Sequence, residues 1–398
     1  MKTAVFGGTF NPPHESHVEM AAFAVEQLGF DRVVVVPAAD PPHKAVEGDA
    51  TPQDRLRMAE LAFEDFDEVE VSDIELRRPG KSYTYDTLRQ LQEESPYEYY
   101  HLLMGQDMLE AIEQWYRFEE LLSAAPIIVF PRAGSEGDLA ALVERLSADY
   151  GADVEVAQTE LAGVASRRLR EELRESLPEA VPAPVLRYIL ERGLYGVRLD
   201  GGRAKTGRER QLIEQLRRRM QPHRLPHAFA VMEEMERLAL HYGEDVSRAR
   251  LAGLLHDVTK GESLENQLRL CANYDIVIST LEKASPKLLH ALTGAAVARE
   301  LLGGGEEEIV TAIRYHTTGR SGMSRLEQLL YLADYIEPLR EFEGVEPVRA
   351  LAYEDLVGAL RLALDNTLRE VLEAGRLLHP DTLEARNEFV AIMMERDR

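Results

Sequence analysis

Two groups of residues in this chain have the types and spacing to handle phosphate. The first is the run Val5-Phe6-Gly7-Gly8-Thr9-Phe10-Asn11-Pro12-Pro13-His14-Glu15-Ser16-His17. Thr3 to Phe6 reads as a short buried strand, and His17 to Leu28 carries helical apolar spacing at Val18, Ala21, Ala22, Val25 and Leu28, so the run joins a strand end to a helix start. Gly7 and Gly8 have no β-carbon and let backbone N–H groups approach a ligand, while the helix N-terminus behind them favours negative charge. His14 and His17 stand three apart, share one face of the first helical turn and could both meet a phosphate resting on the loop. The spacing is neither the G-x-G-x-x-G of a dinucleotide fold nor the G-K-[ST] of a Walker loop.

The second group lies beyond residue 208. His227 opens a helix with Phe229, Val231, Met232 and Met235; His256-Asp257 follows Leu254-Leu255; and Asp334 is one carboxylate in the apolar run Leu332-Ala333-Asp334-Tyr335-Ile336. An isolated charge there is costly to bury, which calls for a cationic partner or a metal. His290 and His316 also sit in largely apolar helical contexts. Taken singly, each histidine is ordinary core. Several apolar helices each bringing one imidazole or carboxylate inward is how helical bundles build metal sites, and nitrogen and carboxylate ligands without thiolate favour Fe, Mn, Co or Zn over Ca.

These groups need elements to position them. Apolar, β-branched runs at Arg32 to Val36, Val69 to Val71, Tyr99 to Met104, Ile127 to Phe130 and Val154 to Val156 predict strands, and Asp54 to Phe63, Thr84 to Gln92, Asp138 to Ser147 and Arg167 to Leu173 predict helices between them. This alternation implies an α/β, Rossmann-like parallel sheet covered by helices, with ligands at the carboxyl ends of its strands. Further candidates fall at such ends: Pro41-Pro42-His43-Lys44, Gly105-Gln106-Asp107, and the sole tryptophan, Trp115. Ser82-Tyr83-Thr84-Tyr85-Asp86 caps the next helix or presents hydroxyls to a small acid. Residues 197–207, containing Gly201-Gly202, read as a linker between a domain at 1–196 and a second at 208–398, where helical spacing dominates and an all-α bundle is expected.

At 398 residues two domains are the prior. Forty-six basic against 70 acidic residues give a formal charge of −24, which repels polyanions and argues against nucleic acid as a partner. No apolar run approaches membrane-spanning length, so no membrane partner is expected, and Met1-Lys2-Thr3 leads straight into a strand without a secretory segment. A single cysteine, Cys271, excludes an intramolecular disulfide framework and fits the reducing cytoplasm. A homo-oligomer is compatible with all of this.

The opening run resembles the G-G-x-F-x-P-x-H-x-G-H signature of nucleotidyltransferases, with Ser16 where that family usually has glycine. With Pro41-Pro42-His43-Lys44, Ser82 to Leu88, Gly105-Gln106-Asp107, Trp115 and Val164-Ala165-Ser166-Arg167-Arg168-Leu169-Arg170, the first domain is similar to bacterial nicotinate mononucleotide adenylyltransferases. The family's I-S-S-T-x-I-R carries Ala165 and Arg167 here. The resemblance implies that Gly7, Gly8, Thr9 and Phe10 form the nucleotide loop; that His14, His17, Lys44, Ser166 and Arg170 hold ATP phosphates with Mg²⁺; and that Gly105 and Asp107 meet the ribose. Tyr83, Thr84 and Trp115 would then hold the pyridine acid of nicotinate mononucleotide.

The second domain resembles the HD phosphohydrolases, and more closely their YqeK-type branch, which cleaves diadenosine tetraphosphate symmetrically. The runs that carry this are His256-Asp257-Val258-Thr259-Lys260, Ala312 to Arg320, Ala333 to Arg340 and His379-Pro380-Asp381-Thr382. The resemblance implies one metal on His227, His256, Asp257 and Asp334 and a second on His290 and His316 with Asp257 bridging, Fe or Mn being the expected ions. Lys260, Arg320 and Arg340 would steady phosphates, although exposed helix-end cations fit them equally. Two other readings stay open: a second domain that senses nucleotide without catalysis or acts on another nucleotide, and a first domain that serves a different phosphate acceptor.

Overall fold

Val33, Val34, Val35 and Val36 are each no more than 1% exposed, and a strand buried on both faces must be an inner strand of a sheet with helices on either side. They form β2, Arg32–Pro37, in a six-stranded sheet with β1 (Lys2–Gly8), β3 (Val69–Val71), β4 (Tyr99–Gly105), β5 (Ile127–Phe130) and β6 (Val154–Val156). The strand order is β3-β2-β1-β4-β5-β6 and every pair is parallel, with Val5 opposite both Val34 and Leu102. The edge strands are three residues long with an outward glutamate, Glu70 or Glu155, which discourages edge pairing. The computed structural model describes residues 1–42, 46–131, 138–159, 163–174, 176–197 and 203–396, and the chain divides into two units, Met1–Val197 and Arg198–Arg398.

Chain order reverses between β1 and β4, and such a reversal opens a crevice at the carboxyl ends of the two strands. The helix after β1 runs Glu15–Glu26, two residues earlier than its apolar spacing predicts, so His14 is its N-cap and His17 its third residue. Helix Pro52–Ala62 also starts early, because Thr51 Oγ1 accepts the Asp54 N–H at 3.1 Å while Asp54 accepts the Thr51 N–H at 2.9 Å, and Pro52 suits the first turn. Three short helices carry too few turns to show a period: Ile74–Arg77, Gln106–Glu110 and Phe118–Ala124.

Arg55, on helix Pro52–Ala62, brackets the crevice. Its side chain is 1% exposed and donates to the carbonyls of Thr9 at 2.9 Å, Ala38 at 2.5 Å and Ala39 at 3.1 Å, joining the loops that follow β1 and β2. Replacing it with leucine leaves these carbonyls without their donor, which costs about 2–4 kcal/mol. The expected result for Arg55→Leu is a lower midpoint for the first unit in denaturant, read by fluorescence of Trp115.

The described residues of the second unit contain helices and no strand. Its core gathers Phe229, Met232, Met235, Leu254, Leu255, Leu329 and Leu332, all fully buried. Helices Leu225–Tyr242 and Val246–Leu255 approach so closely at Gly253 that a β-carbon there would lie 2.8 Å from Met232 Cα. That approach lets His227 and His256, one from each side of the contact, converge. Arg203 is 6% exposed and pairs with Glu233, so this end of the stretch read as linker is held in the second unit. No described helix is long and apolar enough to cross a membrane.

Candidate active sites

A cavity of 730 Å³ occupies the crevice at the ends of β1 and β4. Gly7, Gly8, Thr9, Phe10, His14, His17, Tyr83, Thr84, Gly105, Asp107, Trp115, Ser166 and Arg170 all line it. Lys44 and His43 lie outside the described residues. The two glycines of the loop have different reasons. Around a β-carbon at Gly7 there is open space, as close approach of a ligand requires, whereas one at Gly8 would meet the Phe10 ring at 2.9 Å. Gly8 therefore also leaves room for the Phe10 ring. At Gly105 the obstacle would be Asp107 Oδ1, also at 2.9 Å.

His14 is 6% exposed, and its ring stacks on His17 with centroids 3.8 Å apart. The His14 backbone N–H donates to His17 Nδ1 at 3.1 Å, so a neutral His17 carries its proton on Nε2. The paired imidazoles thus present a donor at a helix start, where negative charge is favoured. Ser166 and Arg170 come from helix Ser166–Glu172 and hold the same loop by its backbone: Ser166 Oγ donates to Pro12 O at 3.1 Å and Arg170 Nη1 to Asn11 O at 2.8 Å. Arg170 Nη2 also reaches Glu47 at 2.6 Å. Tyr195 secures the loop from beneath, its hydroxyl donating to Asn11 Oδ1 at 2.8 Å; burial pushes that hydroxyl's pKa up, which keeps the donor protonated. Asn11, Arg55 and Tyr195 were not apparent as site residues in the sequence. Only Asn11 had a signal, its place in the opening loop.

In the second unit all six candidate ligands converge. His227, His256 and Asp257 bring ligand atoms within 4.8 Å of one another, as do Asp257, His290 and His316, and His256, His316 and Asp334. Asp257, 1% exposed, faces the imidazoles with one oxygen for each pair. Its Oδ2 lies 3.4 Å from His227 Nε2 and 3.5 Å from His256 Nε2, and its Oδ1 lies 3.3 Å from His290 Nε2 and 3.5 Å from His316 Nε2. Within the pairs, the Nε2 atoms are 3.1 and 3.2 Å apart.

Hydrogen bonding fixes what these nitrogens can do. His256 Nδ1 donates to Gly253 O at 2.7 Å, His290 Nδ1 to Lys287 O at 2.6 Å, His316 Nδ1 to Ile313 O at 2.7 Å and His227 Nδ1 to Glu337 Oε1 at 3.0 Å. With their protons spent outward, neutral rings aim four Nε2 lone pairs inward at one carboxylate. Both Asp257 oxygens are buried and receive no aligned hydrogen bond, although Lys260 Nζ stands 2.9 Å from Oδ2. Lone pairs facing each other across about 3 Å repel unless a cation lies between them, and this spacing suits donors about 2.1 Å from one ion. The residues therefore fit a metal centre.

Burial drives His256 down to about 3 and lowers His290 as well, keeping both neutral as ligands must be. Burial also opposes charge on His227, but Asp257, Asp334 and Glu337 outweigh it and push its pKa up to about 10. Without an ion, a proton there meets part of the cluster's demand for positive charge. Arg340 donates to Asp334 Oδ1 at 2.5 Å and to the Asp334 carbonyl at 2.8 Å, at the edge of the cluster. Arg320 forks onto the buried Glu327 at 2.6 and 2.9 Å, a matched cation for that carboxylate. Glu337 was not singled out in the sequence, and its one signal is its place in the run Ala333 to Arg340, three residues after Asp334.

The cytidylyltransferase-like family model matches residues 5–172, and the HD domain model matches residues 224–339. A probable nicotinate-nucleotide adenylyltransferase of Gloeobacter violaceus is 40% identical over 199 residues, 49% of this chain and 97% of that protein. A symmetrical bis(5'-nucleosyl)-tetraphosphatase of Halalkalibacterium halodurans is 41% identical over 168 residues, 42% of this chain and 89% of that protein. A solved structure described as a predicted HD superfamily hydrolase involved in NAD metabolism, from Clostridium acetobutylicum, matches at 40% identity over 46% of this chain and 96% of that one, with a TM-score of 0.44.

Proposed function

The chain belongs to the cytidylyltransferase-like family through its first half and to the HD-domain family through its second, and from that premise we propose that it is a bifunctional enzyme. The first unit transfers AMP from ATP to nicotinate mononucleotide, giving nicotinate adenine dinucleotide and pyrophosphate. The second hydrolyses diadenosine tetraphosphate to two ADP. Four imidazoles whose Nδ1 atoms all face outward partners while their Nε2 atoms close on both oxygens of Asp257 are the observation that carries the hydrolase. The paired histidines over the crevice at β1 and β4 support the transferase.

For adenylyl transfer the chain supplies alignment and donors. The acceptor's 5′-phosphate attacks the α-phosphorus in line with the departing pyrophosphate. His17 donates its Nε2–H to the triphosphate, His14 stacks behind it, and Arg170 and Lys44 add positive charge. Such donors act where charge develops and need little reorganisation, which is where most of the acceleration arises. Asp107 takes ribose hydroxyls, while Tyr83, Thr84 and Trp115 form the wall for the pyridine ring. Mg²⁺ bound with ATP would screen its phosphates.

For hydrolysis, His227, His256, Asp257 and Asp334 would hold one ion and His290, His316 and Asp257 another, Fe or Mn by donor chemistry. When bound, the ions supply Lewis acidity and an activated water. Asp257 holds the two halves together through its two oxygens. Lys260 and Arg340, each already beside a ligand carboxylate, bind the phosphates and orient the chain for division at its centre.

Product analysis tests both reactions: ATP with nicotinate mononucleotide, and diadenosine tetraphosphate with Mn²⁺ or Fe²⁺. Dialysis against a chelator should eliminate ADP formation, and Mg²⁺ alone should then restore adenylyl transfer but not hydrolysis. ADP appearing at an undiminished rate from metal-free protein would overturn the metal reading of the cluster, and no ADP from the metal-loaded protein would overturn the second activity.

A further inference from the structure

Three of the four imidazoles in the cluster lean on backbone, donating to Gly253 O, Lys287 O and Ile313 O. His227 alone leans on a carboxylate, Glu337 Oε1 at 3.0 Å. Glu337 is 1% exposed, and its other oxygen, Oε2, accepts the Leu339 N–H at 2.6 Å, so the side chain is fixed from both ends. A carboxylate behind an imidazole orients the ring and raises its basicity more than a neutral carbonyl does. The same side of the cluster holds a second carboxylate, with Asp334 Oδ1 3.1 Å from His227 Nε2 and 3.7 Å from His256 Nε2. The carboxylate oxygen facing both His290 and His316 is Asp257 Oδ1.

We infer that the two metal positions are unequal, and that Glu337 is the positioning residue that makes the one at His227 and His256 the tighter. This position fills first and keeps its ion. The position at His290 and His316, with fewer anionic donors, is the exchangeable one. The inference rests on the metal reading of the cluster and adds to it an order of filling and a cause.

Calorimetric titration of the metal-free full chain with Mn²⁺, followed in parallel by the manganese spin-resonance signal, reads this without any turnover. Two steps of unequal affinity are expected. Glu337→Gln should weaken the first step by about 10–100-fold and leave the second in place, and Glu337→Asp should recover much of the loss. The retained second step also reports that the unit is folded. Two equal steps in the parent, an equal weakening of both in Glu337→Gln, or no recovery in Glu337→Asp would overturn the inference. So would failure of both variants to fold, which would make Glu337 a folding residue. Absence of any Mn²⁺ binding by the parent would instead remove the metal reading itself.

Discussion

Asp257→Ala is expected to cut hydrolysis of diadenosine tetraphosphate by more than about a thousandfold while adenylyl transfer continues at the parent rate. Even loss of a residue that only supports a metal ligand costs about 10–100-fold, and Asp257 would be shared between two ions. One oxygen faces His227 and His256, the other His290 and His316, so truncation removes an anionic donor from both pairs at once. Asp257→Asn keeps the volume and removes only the charge. Rates of ADP and dinucleotide formation, measured on the same preparation of each variant with its bound metal, give the result. Loss of both activities in Asp257→Asn would mean that the two sites are not independent.

The sheet was legible because its inner strands are buried on both faces. Val33 to Val36 and Ile127 to Phe130 must be apolar along their whole length, and β-branched residues favour the extended chain, so composition alone marks them. The all-α second unit was legible for the complementary reason, long helices with a repeating apolar face. Helix starts were less so. Apolar spacing begins after His17, but the helix begins at Glu15, because His14 and His17 close its first turn through a bond between a backbone N–H and a ring nitrogen. Helix Phe118–Ala124 follows Arg117 in the left-handed region, a conformation that no arginine announces.

The reacting groups were more legible than the groups that hold them. A histidine or aspartate in an apolar helix stands out by type, and all six such residues meet. Their supports do not stand out. Arg55 occupies one of many basic positions, and only tertiary structure shows its guanidinium spanning two loops. Glu337 lies in the run Ala333 to Arg340, but only tertiary structure shows its carboxylate behind His227. Gly253 looks like a weak point in a helix until the neighbouring backbone is found filling the place of its missing side chain. Arg320 sits beside a reactive motif, and only tertiary structure shows its pairing with the buried Glu327 in the first turn of the next helix.

His17→Ala is expected to lower dinucleotide formation by about 10²–10³-fold, the usual cost of removing one donor aimed at developing charge. The ring has two separable jobs. Its Nδ1 accepts the His14 N–H and closes the helix start; its Nε2–H is the donor left for the triphosphate. Asparagine can reproduce the first and glutamine the second, since their amide groups reach roughly the positions of Nδ1 and Nε2. If the Nε2–H stabilises the transferring phosphoryl group, His17→Gln recovers much of the lost kcat and His17→Asn does not. If the ring only shapes the loop, the order reverses, with His17→Asn active and His17→Gln impaired. Packing against Phe10, whose ring centroid is 5.0 Å away, is lost equally in both variants and does not bias the comparison. A near-parental kcat in His17→Ala would remove the imidazole from the transfer step altogether.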